Sequence, residues 1–221
     1  MAKEIEKEKK SVNYIDSIRL ARQSSMKRNF SQTFDLIVNL KSIDLKKPEN
    51  RWNIEVQLPE GRGKEPRMAF FGDNIIEEAK ALGYTSFTKT EIEKLAGNKK
   101  EIKRLAKEHD IFLAETTLMP LIGKTLGTVL GPRNKLPKPI PPKVRLQPFI
   151  EAARKSVRVS LKEAPVIQVP VASESMADEQ ILRNLEAVYA AVRDRLPKGR
   201  QNIRNMLLKL TMGRPVRLEV K

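Results

Sequence analysis

Six basic side chains, Lys124, Arg133, Lys135, Lys138, Lys143 and Arg145, stand in a stretch from Thr116 to Ile150 that contains no acidic residue. Those 35 residues also hold half of the chain's 14 prolines and glycines at 123, 127 and 131. Chains ordinarily mix charge signs to stay soluble, so a long acid-free Gly/Pro/Lys stretch predicts a stiff basic surface facing a polyanion, with nucleic acid the first partner to consider. Within it, Gly123-Lys124-Thr125 matches only the end of a phosphate-binding loop. That loop needs a glycine five residues before the one preceding its lysine, so that backbone amides wrap the phosphate, and position 118 is Leu. An NTP-dependent enzyme using Lys124 and Thr125 is therefore an alternative resting on a partial motif.

A second set of small and polar residues is Thr211-Met212-Gly213-Arg214-Pro215, between two strand-like segments. The glycine lets a nucleic-acid backbone come close, and the threonine hydroxyl can bond a sugar or phosphate oxygen; the bland alternative is an ordinary hairpin turn. Phe30 stands alone in a polar setting, Lys27-Arg28-Asn29-Phe30-Ser31-Gln32-Thr33, and its local reading is a staple between helix and strand. Aromatic residues make up only 5% of the chain and no strand presents a row of stacking rings, so RNA recognition is expected through shape, phosphate and sugar. Acid/base chemistry has little to work with. Glu77-Glu78 and Glu91/Glu93 fall on expected exposed helix faces beside lysines, and no Ser/His/Asp set can be assembled around a single histidine. With no cysteine, thiolate zinc sites, disulfides and thiol nucleophiles are excluded, and the lone His109 reads as a solvated residue beside a helix end. No enzyme activity, cofactor or metal is expected.

Lys and Arg exceed Asp and Glu by 43 to 27, for a net charge of +16. Such a balance creates a long-range positive field suited to nucleic acid. The longest apolar run is about six residues, Ala187 to Val192, against the roughly 20 needed to span a bilayer. The opening MAKEIEKEKK mixes acid with base and lacks a signal-peptide core, so a cytoplasmic chain with no membrane partner is expected.

The elements that must position these residues change rhythm twice. Ser11 to about Lys27 has helical spacing. Phe34 to Leu40 and Trp52 to Leu58 alternate apolar and polar residues, which predicts an antiparallel pair with one buried face. After the break at Pro59, Gly61, Gly63 and Pro66, short apolar strands (Met68 to Phe71, Tyr84 to Phe87, Ile111 to Ala114) alternate with helices (Asn74 to Leu82, Thr90 to Leu95, Asn98 to Glu108, Gln147 to Ala153), the pattern of a small parallel crossover sheet. From Ser156 alternation returns in Val157 to Leu161 and Val166 to Val171. A strong amphipathic helix follows over Asp178 to Leu196, and strands over Ile203 to Leu210 and Val216 to Val220 close the chain. The expected architecture is an α+β discontinuous domain, with an antiparallel sheet and helices split across both termini (1–61 and 155–221), and an inserted α/β crossover, Rossmann-like domain (62–154). Both are basic, by about +9 and +7.

Gly123-Lys-Thr-Leu-Gly-Thr-Val-Leu-Gly-Pro-Arg-Asn-Lys-Leu-Pro-Lys-Pro139 resembles the signature of the large-subunit ribosomal protein L-one family, and Thr211-Met212-Gly213 resembles that family's RNA-contacting turn. Lys46 to Arg51 and Val56 to Gly61 are similar to its archaeal and eukaryotic branch. The resemblance covers essentially the whole chain. It implies a discontinuous first domain holding the rRNA of the mobile stalk, support for exit of deacylated tRNA from the E site, and binding to the protein's own mRNA as a translational repressor. It also implies a monomer off the ribosome. The RNA-binding positions it implies are Phe30, Thr33, Asp35, Thr211, Met212 and Gly213, which reverses the staple reading of Phe30. Bacterial members place Pro directly after the Thr-Met-Gly turn; here Arg214 intervenes and offers an added phosphate contact. Lys124, Arg133, Lys135 and Lys138 would form a secondary basic surface. The family's usual glycine after Pro-Arg is Asn134, which a left-handed turn tolerates.

Overall fold

The structure is a computed structural model that describes residues 14–142 and 144–218. Lys143, the first residues of the helix expected from Ser11, and the end of the last expected strand lie outside the described residues. The chain divides into two compact units, Met1–Lys64 with Lys155–Lys221, and Glu65–Arg154.

The first unit is built on an antiparallel four-stranded sheet of order β10-β9-β1-β8, from β1 (Thr33–Leu40), β8 (Val166–Ser173), β9 (Ile203–Leu210) and β10 (Val216–Leu218). Strict alternation along β1 sends Phe34, Leu36, Val38 and Leu40 into the core and leaves Thr33, Asp35, Ile37 and Asn39 half-exposed. Helix α1 (residues 14–23) contributes Tyr14, Ile18 and Ala21 to that core. Helix α8 (Asp178–Arg195) contributes Ile181, Leu185, Val188 and Val192 at the i, i+4, i+7, i+11 spacing of a helix face. Asp178 binds Arg19 and Arg22 of α1 at 3.3 and 2.9 Å, which ties the two helices at their ends.

The expected pairing of the first two strands is corrected. β2 (Trp52–Gln57) pairs with β7 (Ser156–Leu161) in a separate two-stranded sheet, while β1 lies between β8 and β9. Alternation reveals which face a strand buries and leaves its partner open. The chain is turned away after β1 by Ser42 at φ 57°, with the Asn202 side chain donating to the carbonyls of Lys41 and Ser42 at 3.1 and 3.2 Å.

The second unit is a parallel sheet of order β4-β3-β5-β6, from β3 (Met68–Phe71), β4 (Thr85–Phe87), β5 (Ile111–Glu115) and β6 (Lys138–Ile140). β3 is buried at every residue, as a parallel strand covered on both faces must be. On one face Ala69, Phe71, Phe112 and Ala114 pack beneath α3 (Lys89–Leu95), α4 (Lys99–Glu108), α5 (Met119–Thr125) and α6 (Gly127–Leu130). On the other, Met68, Phe70 and Leu113 meet α2 (Ile76–Ala81) and α7 (Gln147–Lys155). The fold thus comprises an α/β crossover unit and an antiparallel α+β unit.

Two local expectations change. The acid-free stretch, read as a stiff surface without assigned elements up to Gln147, folds into α5, α6 and β6, because Leu118, Ile122, Leu126, Val129 and Leu130 recur at helical spacing and are buried. His109 is 9% exposed instead of solvated: it closes α4, its Nδ1 lies 3.2 Å from the Leu105 carbonyl, and its ring tilts against Phe112 as the chain dives into β5.

Candidate nucleic-acid interface

The end of β9 and the beginning of β1 are adjacent in the sheet, with Phe34 opposite Leu210. That register brings the Thr211 turn back onto β1. The Thr211 amide donates to the Thr33 carbonyl at 3.0 Å, and its hydroxyl donates either to the same carbonyl at 3.1 Å or to Asp35 Oδ2 at 3.4 Å. Since a hydroxyl has one proton and two lone pairs, the threonine oxygen still accepts from an incoming hydroxyl such as a ribose 2′-OH. Met212 donates its amide to Gln32 Oε1 at 3.2 Å while its side chain stays 60% exposed.

Gln32 is the centre of this arrangement. It is 1% exposed, its Nε2 donates to Ser25 Oγ at 3.1 Å and to the Met26 carbonyl at 3.4 Å, and its backbone amide donates to Glu174 Oε2 at 3.1 Å. One amide side chain thus joins the end of α1, the start of β1 and the Thr211 turn. Sequence reasoning passed over it, although a signal was present: counting back by twos from Phe34 puts Gln32 in the core phase of the strand, where a polar residue must find partners. Ser25 and Met26, in the loop between α1 and β1, were missed as well, and no strand or helix period points to them.

Gly213 has a requirement of space. A Cβ there would sit 3.2 Å from Ser25 Cβ and Oγ and from Leu210 Cβ, so the turn closes against α1 only with glycine at this position or with movement of its neighbours. Arg214 is exposed beyond it. Phe30 is 57% exposed, two residues from Gln32, and does not act as a helix-to-strand staple.

Beside Thr211, Asp35, Ile37, Gln168, Pro170 and Lys209 line a depression of about 370 Å³ on the half-exposed sheet face. Burial pushes the Asp35 carboxyl above its ordinary value; the Thr211 hydroxyl and the Lys209 ammonium act in the opposite direction. The sequence-predicted positions Thr33, Asp35, Thr211, Met212 and Gly213 are brought together by these contacts, with Phe30 and Arg214 exposed on the flanking backbone.

The four residues of the expected secondary basic surface are placed differently. Lys124 is exposed in the last turn of α5, and Lys138 lies in β6 opposite Leu113. Arg133 and Lys135 turn onto α4: Arg133 Nη1 donates to the Lys103 carbonyl at 3.3 Å, and Lys135 Nζ donates to the carbonyls of Ala106 and His109 at 2.9 and 2.8 Å. Asn134 between them has φ 56°, the left-handed conformation expected where the family usually has glycine.

The partial phosphate-loop motif is not at the start of a helix. Gly123-Lys124-Thr125 closes α5, where carbonyls point outward and the helix dipole is negative, and Thr125 Oγ1 donates back to the Leu121 carbonyl at 2.9 Å. At the carboxyl ends of the parallel strands, where open α/β sheets often hold an anion, the chain places its own Glu115 carboxylate against the amides of Asp73, Asn74 and Ile75. Among the described residues no cluster of His, Cys, Asp and Glu is placed to hold a metal ion, and no helix is long and apolar enough to cross a membrane.

A family model described as the ribosomal protein L1p/L10e family matches residues 6–214. The chain belongs to the ribosomal protein L1p/L10e family. It is 43% identical over 206 residues to the large ribosomal subunit protein uL1 of Methanocaldococcus jannaschii, covering 93% of this chain and 94% of that protein. It is 43% identical over 207 residues to the large ribosomal subunit protein uL1 of Pyrococcus horikoshii, with the same coverage of each. The uL1 of Methanothermococcus thermolithotrophicus is 42% identical over 208 residues, 94% of this chain and 98% of that protein. These archaeal relatives agree with the branch indicated by Lys46 to Arg51, and each is named as a protein of the large ribosomal subunit.

Proposed function

We propose that this protein binds the folded rRNA of the ribosomal stalk through the Thr211 turn and its support on β1, as a structural component with no catalytic role. The observation that carries the reading is the double tether of Thr211 to Thr33, with Gln32 holding the Met212 amide. A preorganised turn presents a hydroxyl acceptor, a close-approach glycine and an apolar side chain without the entropic cost of ordering them on binding. Arg214 and the net charge of +16 supply the salt-sensitive part of affinity. Phe30, Thr33, Asp35, Thr211, Met212, Gly213 and Arg214 are the contacts. In a ribosome, the same protein supports exit of deacylated tRNA from the E site, and off it, as a cytoplasmic monomer, it represses translation of its own mRNA through the same surface.

The test is binding of the full chain to a stalk rRNA fragment and to an unrelated RNA duplex of equal length across a salt series. The stalk fragment should stay bound where counterion release has dissociated the duplex. Thr211→Ala and Met212→Ala should each weaken the stalk complex by about tenfold or more, as loss of about 1.4 kcal/mol or more implies, whereas Lys124→Ala should cost less than about threefold. Equal losses at all three positions would remove the division of labour, and parallel decay of the two RNAs with salt would leave only a basic field.

A further inference from the structure

The second unit carries a concentration of cations that the Thr211 turn does not use. α4 has Lys99, Lys100, Lys103 and Lys107 exposed, and none of the four forms an ion pair among the described residues. With 3.6 residues per turn these four fall within about a third of the helix circumference, beside the edge that buries Ile102 and Ala106. Glu101 and Glu108 fall on the other side, and Glu108 is taken by Arg104 at 2.8 Å. The helix surface is therefore separated into a lysine stripe and a mixed side, whereas a merely solvated helix intersperses its signs.

The signature turn lies against the same helix. Arg133 is anchored on the Lys103 carbonyl through one nitrogen of a guanidinium with five donors, so most of its hydrogen-bonding capacity faces outward. Lys135 is used up as a clamp on the last carbonyls of α4, with Asp110 at 4.0 Å, and Arg67 is paired with Asp110 at 3.5 Å. Those two cations share one carboxylate; among the described residues Lys99, Lys100, Lys103, Lys107 and Arg133 are not paired with a carboxylate.

We infer that the α4 lysine stripe with Arg133 is a phosphate-backbone surface for helical RNA in the second unit, in place of the signature loop as a whole. From Lys99 to Lys107 the stripe is about 12 Å long, enough to lie along a run of phosphates instead of meeting one. No aromatic side chain stands in α4, which suits sequence-independent contact with backbone. This inference rests on the reading of the chain as an RNA-binding ribosomal protein and adds a second, separate contact to it.

The experiment compares two triple variants of the full chain that remove equal charge from the same unit: Lys99→Gln/Lys103→Gln/Lys107→Gln on the stripe, and Lys80→Gln/Lys89→Gln/Lys94→Gln on exposed residues elsewhere. Each is titrated with a short RNA duplex and with the stalk rRNA fragment over a salt series. The stripe variant should lose about ten- to fiftyfold in duplex affinity at low salt and flatten the log–log salt slope by roughly two to three, near 0.9 for each phosphate that is no longer neutralised. The other variant should lose less than about threefold, and both should hold the stalk fragment within about threefold of the parent. A stripe triple Lys→Arg variant, which keeps the charge, should bind the duplex like the parent and so separates charge from folding. Equal duplex losses in the two Gln variants would overturn the stripe. Failure of the parent to prefer stalk over duplex would sink the earlier reading and leaves the comparison between variants legible.

Discussion

Thr211 and Thr33 stand at opposite ends of the chain and are joined twice: the Thr211 amide and hydroxyl donate to the Thr33 carbonyl at 3.0 and 3.1 Å. The contact that closes the discontinuous unit is therefore also the contact that shapes the candidate RNA turn. β9 continues its ladder past Leu210 into that turn, and Gln32 extends the same closure to Met212 and to the end of α1. Stability of the split sheet and the shape of the proposed RNA turn are linked through one edge.

Asp35 gives this edge a pH dependence of definite sign. Burial raises its pKa, against the pull of Thr211 and Lys209, so the folded state holds the proton more tightly than the unfolded chain does. Its contribution to stability is then most favourable below the ordinary value of 3.8 and declines as pH rises from there through the folded pKa, remaining level above it. Asp35→Asn removes this step. Urea unfolding of both proteins across the acid range should show the stability of the parent falling relative to the Asn variant as pH rises through that window. A flat difference, or one that moves in favour of the parent, would contradict the assigned cause.

Most of this fold was legible in the sequence because most elements carry one unambiguous period. The core face of β1 and the all-apolar β3 match their burial residue by residue, whereas α8 also buries the polar Asn184 and leaves Tyr189 half-buried. Partner choice was not legible, since Trp52 to Gln57 alternates equally well beside β1 or beside β7, and only the distant C-terminal strands decide it. α5 and α6 were hidden because prolines and glycines dominated the composition, while the apolar spacing from Leu118 to Leu130 is what packs. At the site, residue types suggested the Thr211 turn, but the role of Gln32 depends on three segments meeting and had only its phase as a clue. Lys135 shows the converse: its charge is visible in the sequence, and its use as a clamp on α4 carbonyls is not.

Gly213 is predicted to be required for space. Its backbone does not occupy the left-handed region, so alanine is sterically acceptable in itself, yet the added methyl would press on Ser25 and Leu210 at 3.2 Å. Gly213→Ala should cost about 1 kcal/mol of stability or more, within the range for overpacking, and should weaken stalk RNA binding with it. Ser25→Gly in the same chain removes one of the two obstacles and should recover part of both losses, as a coupled pair in a double-mutant cycle. If the two substitutions simply add, the turn does not close on α1 in the way these distances describe.

Glu115 is predicted to hold the second unit together as an internal anion. It is 1% exposed, Oε1 accepts from the amides of Asp73, Asn74 and Ile75 at 3.3, 2.8 and 3.0 Å, and Oε2 accepts from Asn74 Nδ2 and Thr117 Oγ1 at 3.4 Å each. The loop from β3 to α2 thus turns its donors inward onto one carboxylate, and Gly72 leaves room for it, since a Cβ there would lie 2.8 Å from Oε1. Gln keeps one carbonyl oxygen for the three amides and loses the charge, so Glu115→Gln should cost about 1–2 kcal/mol in urea unfolding. Glu115→Ala strips all three amides of their acceptor and should cost roughly 3–5 kcal/mol, as breaking a buried charged network does. Stalk RNA binding should persist in the Gln variant under conditions where the chain is folded, because the contacts proposed for it lie in the other unit. A Gln variant as damaging as Ala would mean that the negative charge, more than the acceptor geometry, holds the loop; an Ala variant as stable as the parent would mean that the amides find other partners and that Glu115 is dispensable.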